Sequence, residues 1–97
     1  MKSIFISFDQ AYYEQVITIL SINHVRGYSG WESVIGRGSV NGEPHLGTHA
    51  WPALNTAILT VVDDIKVKPV LDDLRALDAT SERMSIRAFV WNIEDGM

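Results

Sequence analysis

Residues 85–93 read Ser-Ile-Arg-Ala-Phe-Val-Trp-Asn-Ile, and this segment constrains the chain more than any other. A period of two places Ile86, Ala88 and Val90 on one face of a strand and Phe89, Trp91 and Ile93 on the other. Both faces ask for burial. Any fold that holds this strand must therefore supply a cover for each side of its sheet.

The rest of the chain offers enough elements for one such cover. Residues 3–8 alternate Ile4, Ile6 and Phe8 with Ser3, Phe5 and Ser7, which predicts a first strand with a partly apolar second face. Asp9 suits an N-cap, and Tyr13, Val16, Ile17 and Leu20 recur at helical spacing, so a helix is expected to run to about Val25 with Gly27 just beyond it. Residues 28–35 read as extended. Residues 55–63 form a rich strand, with Ala57, Leu59 and Val61 on one face and Ile58, Thr60 and Val62 on the other, and its apolar density predicts a central place. Asp63 and Asp64 supply capping carboxylates for a second helix that buries Val70, Leu71, Leu74 and Leu77 and leaves Asp72, Asp73 and Arg75 wet. Pro69 fits that helix in its first turn, where its missing N–H is not needed.

The order is β-α-β-β-α-β, a ferredoxin-like α+β fold with a four-stranded antiparallel sheet and two helices on one face. Two helices leave the second face, with Phe5, Phe89, Trp91 and Ile93, as an exposed apolar patch, so a homo-oligomer is expected. Ninety-seven residues suffice for a single domain over 1–97, and a domain of this size is often helped by self-association. Cysteine is absent, which excludes disulfides, thiolate metal sites and cysteine nucleophiles and is compatible with the cytoplasm. With no apolar run long enough for a membrane span or signal peptide, a soluble cytoplasmic protein is expected, without membrane insertion. The net charge of −4 is spread along the chain and forms no basic face, so nucleic acid is set aside as a partner.

Between strands two and three, glycine and proline punctuate residues 36–44, and irregular sequence continues through Pro52. A loop of this length in a small domain is a place to look for function. Gly36, Arg37, Gly38 and Ser39 would present backbone N–H groups and a guanidinium to an anion, or simply form a turn leaving strand two. His45 and His49, with Glu43 beside them, are candidate ligands for zinc, copper or nickel, or solvent-exposed loop histidines. Two ligands do not complete a site, so His24, an acidic residue or a neighbouring subunit would have to contribute. Trp51 would stack on a ligand or a partner, or pin the loop to the body. The Asp63-Asp64 and Asp72-Asp73 pairs do not converge on a helix, and no nucleophile elbow or P-loop is present, so the chain is not expected to be an enzyme.

In order and landmarks the chain resembles the PII-like superfamily. Gly27-Tyr28-Ser29-Gly30 is similar to the family's passage into strand two, Ile35-Gly36-Arg37-Gly38 to the glycine turn that opens its long T-loop, and Val61-Val62-Asp63-Asp64-Ile65 to its passage from strand three into helix two. The resemblance implies a trimer with sheets facing inward, ligands in the clefts between subunits, and a T-loop, here about 37–54, that projects toward a partner protein. It also implies a regulatory protein that binds a small anionic effector or nucleotide and reports it through the loop.

There are departures. The stretch 78–84 lacks the family's glycine- and lysine-rich phosphate loop, Arg37-Gly38-Ser39 stands where typical members have a magnesium-coordinating glutamine, and residues 38–54 hold no tyrosine for uridylylation. The basic tail of typical members is also missing from the last residues, 92–97. The sequence therefore identifies no cofactor. Two alternatives remain beside the effector reading: a metal-binding PII-like or CutA-like protein using His45 and His49, and an interaction domain whose loop docks a partner without a ligand.

Overall fold

The computed structural model describes residues 1–36, 54–80 and 86–97. In chain order these form β1 (Lys2–Asp9), a 3-10 turn (Gln10–Tyr12), α1 (Tyr13–Ile22), β2 (Ser29–Val34), β3 (Asn55–Val62), α2 (Asp64–Asp78) and β4 (Arg87–Asn92). The sheet order is β2-β3-β1-β4 and every neighbouring pair is antiparallel, the ferredoxin-like arrangement expected from the element order. As its apolar density predicted, β3 is a central strand, and β1 lies beside it as the other.

Register sorts the side chains. Ile4 lies between Thr60 and Val90, and Ile6 between Ile58 and Ala88, so these residues share one face. That face meets both helices: Ile4, Ile6, Phe8 and Ile58 are buried in one cluster with Val16, Ile19 and Leu20 of α1 and Val70 and Leu74 of α2. Within α1 the stripe is rotated from the expected one, because Ile19 is buried while Tyr13 stays exposed near Tyr28. Asp73, expected to be wet, is half-buried and accepts a 2.9 Å hydrogen bond from Asn23 Nδ2, which ties the end of α1 to α2.

The helix ends also depart from expectation. Helix α1 stops at Ile22 and not near Val25, and the residue that turns left-handed is His24, at φ 58°, not Gly27. His24 N–H donates to Ser21 O at 3.0 Å and Val25 N–H to Leu20 O at 2.8 Å, the paired bonds of a Schellman cap, while Val25 is buried in the same cluster as Leu20. The buried Val25 fixes where the helix must end. A β-carbon in this conformation costs about 1 kcal/mol, so His24→Gly is expected to raise stability by about 0.5–1 kcal/mol in urea denaturation. A loss of stability would show that the His24 side chain contributes more than its strain.

Helix α2 begins at Asp64, which places Pro69 in the second turn and not the first. Proline there removes the N–H that would bond the Ile65 carbonyl. Ile65 is 84% exposed, so water reaches that turn and softens the loss. Asp63 occupies the N-cap position but makes no side-chain capping bond, whereas Asp9 does cap its turn, accepting from Ala11 N–H at 2.8 Å.

On the sheet's other face no described element packs. Phe89 lies opposite Phe5, which lies opposite Leu59, and Trp91 lies opposite Ser3, which lies opposite Val61. Trp31 joins this face from β2, opposite Ala57. Phe89 is 60% exposed, Trp31 49% and Trp91 48%, so an apolar centre is flanked by aromatic rings on both edge strands.

Candidate functional site

Three chain segments converge where β2 ends and β3 begins. Trp31 pairs with Ala57 but Val34 with Asn55, so the register slips between them and β2 carries one residue more than its partner. Such a bulge takes a backbone carbonyl out of the ladder. Here it is the Glu32 carbonyl, and two side chains take it up: Gln10 Nε2 donates at 3.1 Å and Thr56 Oγ1 at 3.0 Å. Gln10 also donates its backbone N–H to Leu54 O at 3.1 Å. The turn after β1 is thus fastened to the start of β3 and to the bulge of β2.

Gly36 sits at the same place. A Cβ on Gly36 would stand 2.8 Å from Asn55 Nδ2, and Asn55 is almost wholly buried, so close approach explains the glycine. Of the residues expected to contact a ligand, Gly36 is described, at the rim of this junction. Arg37, Gly38, Ser39 and Trp51 lie outside the described residues, as do the candidate metal ligands His45 and His49. His24, the histidine considered as a further ligand, forms the cap of α1 at the end of β2 away from Gly36, and its carbonyl accepts from Lys66 Nζ at 2.8 Å. Among the described residues no three His, Asp or Glu side chains come together.

Beside the junction lies a pocket of about 460 Å³, within the range of small-molecule sites, lined among others by Asp9, Gln10, Tyr13, Glu32 and Thr56. Its electrostatics are acidic. Asp9 and Glu32 bring carboxylates, and a hydrogen bond that the Tyr13 hydroxyl donates to Tyr28, aided by the negative charge of Glu32, holds the Tyr13 phenol above the ordinary tyrosine value. No described lysine, arginine or histidine lines it. An anion held at Gly36 would therefore need its positive charge from elsewhere.

Sequence reading missed Asp9, Gln10, Tyr13, Glu32 and Thr56 as pocket residues. Periodicity assigned Asp9 to a cap and Tyr13 to the core stripe. The signal it passed over was β2 itself, whose residues are exposed from Ser29 to Ser33 and include a glycine.

No protein-family model matches the chain, and no curated protein matches its sequence. Solved structures do match. CPII, a nitrogen regulatory PII-like protein from Thiomonas intermedia K12 bound to ADP, AMP and bicarbonate, aligns with a TM-score of 0.73 at 17% identity, over 97% of this chain and 88% of that one. CPII bound to ADP, AMP and acetate aligns with a TM-score of 0.64 at 15% identity, over 97% and 88%. A structure from Thermus thermophilus described as a PII-like signalling protein aligns with a TM-score of 0.66 at 17% identity, over 95% and 85%. At these identities the likeness is one of fold, and the fold is that of the PII-like proteins.

Proposed function

We propose that this chain, whose fold is that of the PII-like proteins, is a non-enzymatic regulatory protein that binds a small anionic effector or nucleotide between subunits and reports it through the segment after Gly36. The observation that carries the reading is the fold itself, shared over 97% of the chain with a protein bound to ADP, AMP and bicarbonate. The open sheet face supports assembly, since Trp31, Phe89 and Trp91 offer the apolar cover that a second copy would supply. Three subunits are the number the PII resemblance implies. Among the described residues no helix is long and apolar enough to cross a membrane.

The acidic pocket beside Gly36 sets a condition on this function. A phosphate or carboxylate there meets Asp9 and Glu32, so its binding relies on Arg37, the next residue in sequence, or on a cation from the neighbouring subunit. Isothermal titration with ADP, AMP and bicarbonate is expected to show saturable heat with at least one of them, and Arg37→Ala is expected to weaken that binding about tenfold or more, the loss of one charge-assisted contact. Absence of heat from all three, at millimolar concentration, would remove the effector reading. Retention of full affinity in Arg37→Ala would place the anion elsewhere.

A further inference from the structure

The Glu32 carbonyl, taken out of the ladder by the bulge, accepts two bonds that differ in burial. Thr56, which donates one, is 2% exposed, so its hydroxyl has no water to replace that acceptor. Gln10, which donates the other, is exposed. The buried bond fixes the bulge, and the exposed one adjusts it at small cost. The Gln10 backbone is itself held in place, because its N–H donates to Leu54 O at 3.1 Å.

A side-chain amide carries two N–H donors, and Gln10 commits one to Glu32. Among the described residues its other N–H has no acceptor, and Gln10 lines the pocket of about 460 Å³. Tyr13 and Thr56 beside it have committed their hydroxyl protons to Tyr28 and to the Glu32 carbonyl. The Gln10 amide is therefore a donor left for an occupant. No described cation lines the pocket and the Glu32 carboxylate does, so a hydroxyl, which that carboxylate accepts from, suits this wall better than a phosphate, which it repels.

We propose that Gln10 couples this pocket to the end of β2: one N–H of its amide holds an uncharged oxygen of a bound nucleotide, such as a ribose hydroxyl, while the other holds the Glu32 carbonyl. The coupling rests on the effector reading above and names the part of the ligand that this pocket takes. A ligand that needs Gln10 in this position stabilises the position and, with it, the bulge that the same amide supports. The effect is reciprocal, so an amide that no longer supports the bulge also binds the ligand less well. From the bulge β2 runs to Val34 and the chain continues to Gly36 against Asn55, so occupancy of the pocket is felt where the chain leaves the sheet.

The test is amide hydrogen exchange at residues 32–34 and 54–56, read by NMR in wild-type protein and in Gln10→Met, which keeps the bulk of the side chain and removes both donors. Without ligand, Gln10→Met is expected to exchange about three- to tenfold faster at these amides, the loss of one exposed hydrogen bond, while Val16 in α1 is unchanged. In the wild type, ADP and adenosine are expected to slow the same amides about threefold or more, and pyrophosphate is not. In Gln10→Met neither slows them, and calorimetry is expected to show ADP affinity lower by a similar factor. Should Gln10→Met misfold, Gln10→Ala decides. Unchanged exchange in the ligand-free variant, equal slowing in both proteins, or slowing by pyrophosphate as large as by adenosine would each overturn the proposal. Heat from ADP without slower exchange in the wild type overturns the coupling alone, whereas no heat from ADP, AMP or bicarbonate removes the effector reading and the coupling with it.

Discussion

Trp91→Glu is expected to convert the assembled protein to monomer or to insoluble material, read by light scattering after gel filtration. Trp91 and Phe89 extend from β4 on the face that no described element covers, 48% and 60% exposed. Leaving each ring in water forgoes roughly 1.5–3 kcal/mol of burial, which association of open faces recovers. A carboxylate at position 91 would instead place an uncompensated charge inside that interface, at a cost of about 3–5 kcal/mol. Ile65→Glu is the control, because Ile65 is 84% exposed on α2, on the other side of the sheet, and the same change there is expected to leave the assembly intact. A wild-type protein that scatters as a stable monomer would overturn the association through this face and, with it, any ligand cleft between subunits.

Phe8→Ala is expected to cost about 3–5 kcal/mol of folding stability, a large share of the roughly 5–15 kcal/mol that a domain has. Phe8 is fully buried on the helix-facing side of β1, in the cluster that joins Val16 and Leu20 to Val70 and Leu74. It directly precedes Asp9, whose carboxylate caps the following turn, so the backbone has little freedom to collapse into the cavity left by the ring. Urea denaturation of both proteins at one fixed concentration compares them under the same mass-action contribution. A loss below about 1 kcal/mol would mean that the core repacks around the missing ring. The two substitutions separate the two faces of one sheet, since Phe8→Ala acts on folding and Trp91→Glu on assembly.

Much of this sheet was legible in the sequence because a strand's two faces follow from its period of two alone. Ile86, Ala88 and Val90 fall on the helix side and Phe89 and Trp91 on the open side, as their alternation required. Helix ends were less legible. Gly27 looked like the residue after the helix because glycine tolerates positive φ most easily, yet the buried Val25 sets the end of α1 and forces His24 to take that conformation. Pro69 misled in the same way: a rule about local cost placed it in a first turn, while the packing of Val70 and Leu74 draws the helix past it. Glycine density singled out Gly36, which stands against Asn55. The pocket was not legible, because Asp9, Tyr13, Glu32 and Thr56 come from four separate elements and no spacing links them.

The sequence by itself determined the alternation of strands and helices, the identity of the core faces and the existence of an apolar face in want of cover, because each depends on the spacing of side chains along one element. Tertiary structure alone decided which strands are neighbours, where the bulge in β2 falls and which polar groups meet there. The Glu32 carbonyl finds Gln10 and Thr56 only once β1, β2 and β3 are in register. Such meetings depend on distances between elements far apart in the chain, and those distances exist only after the helices have packed across the sheet.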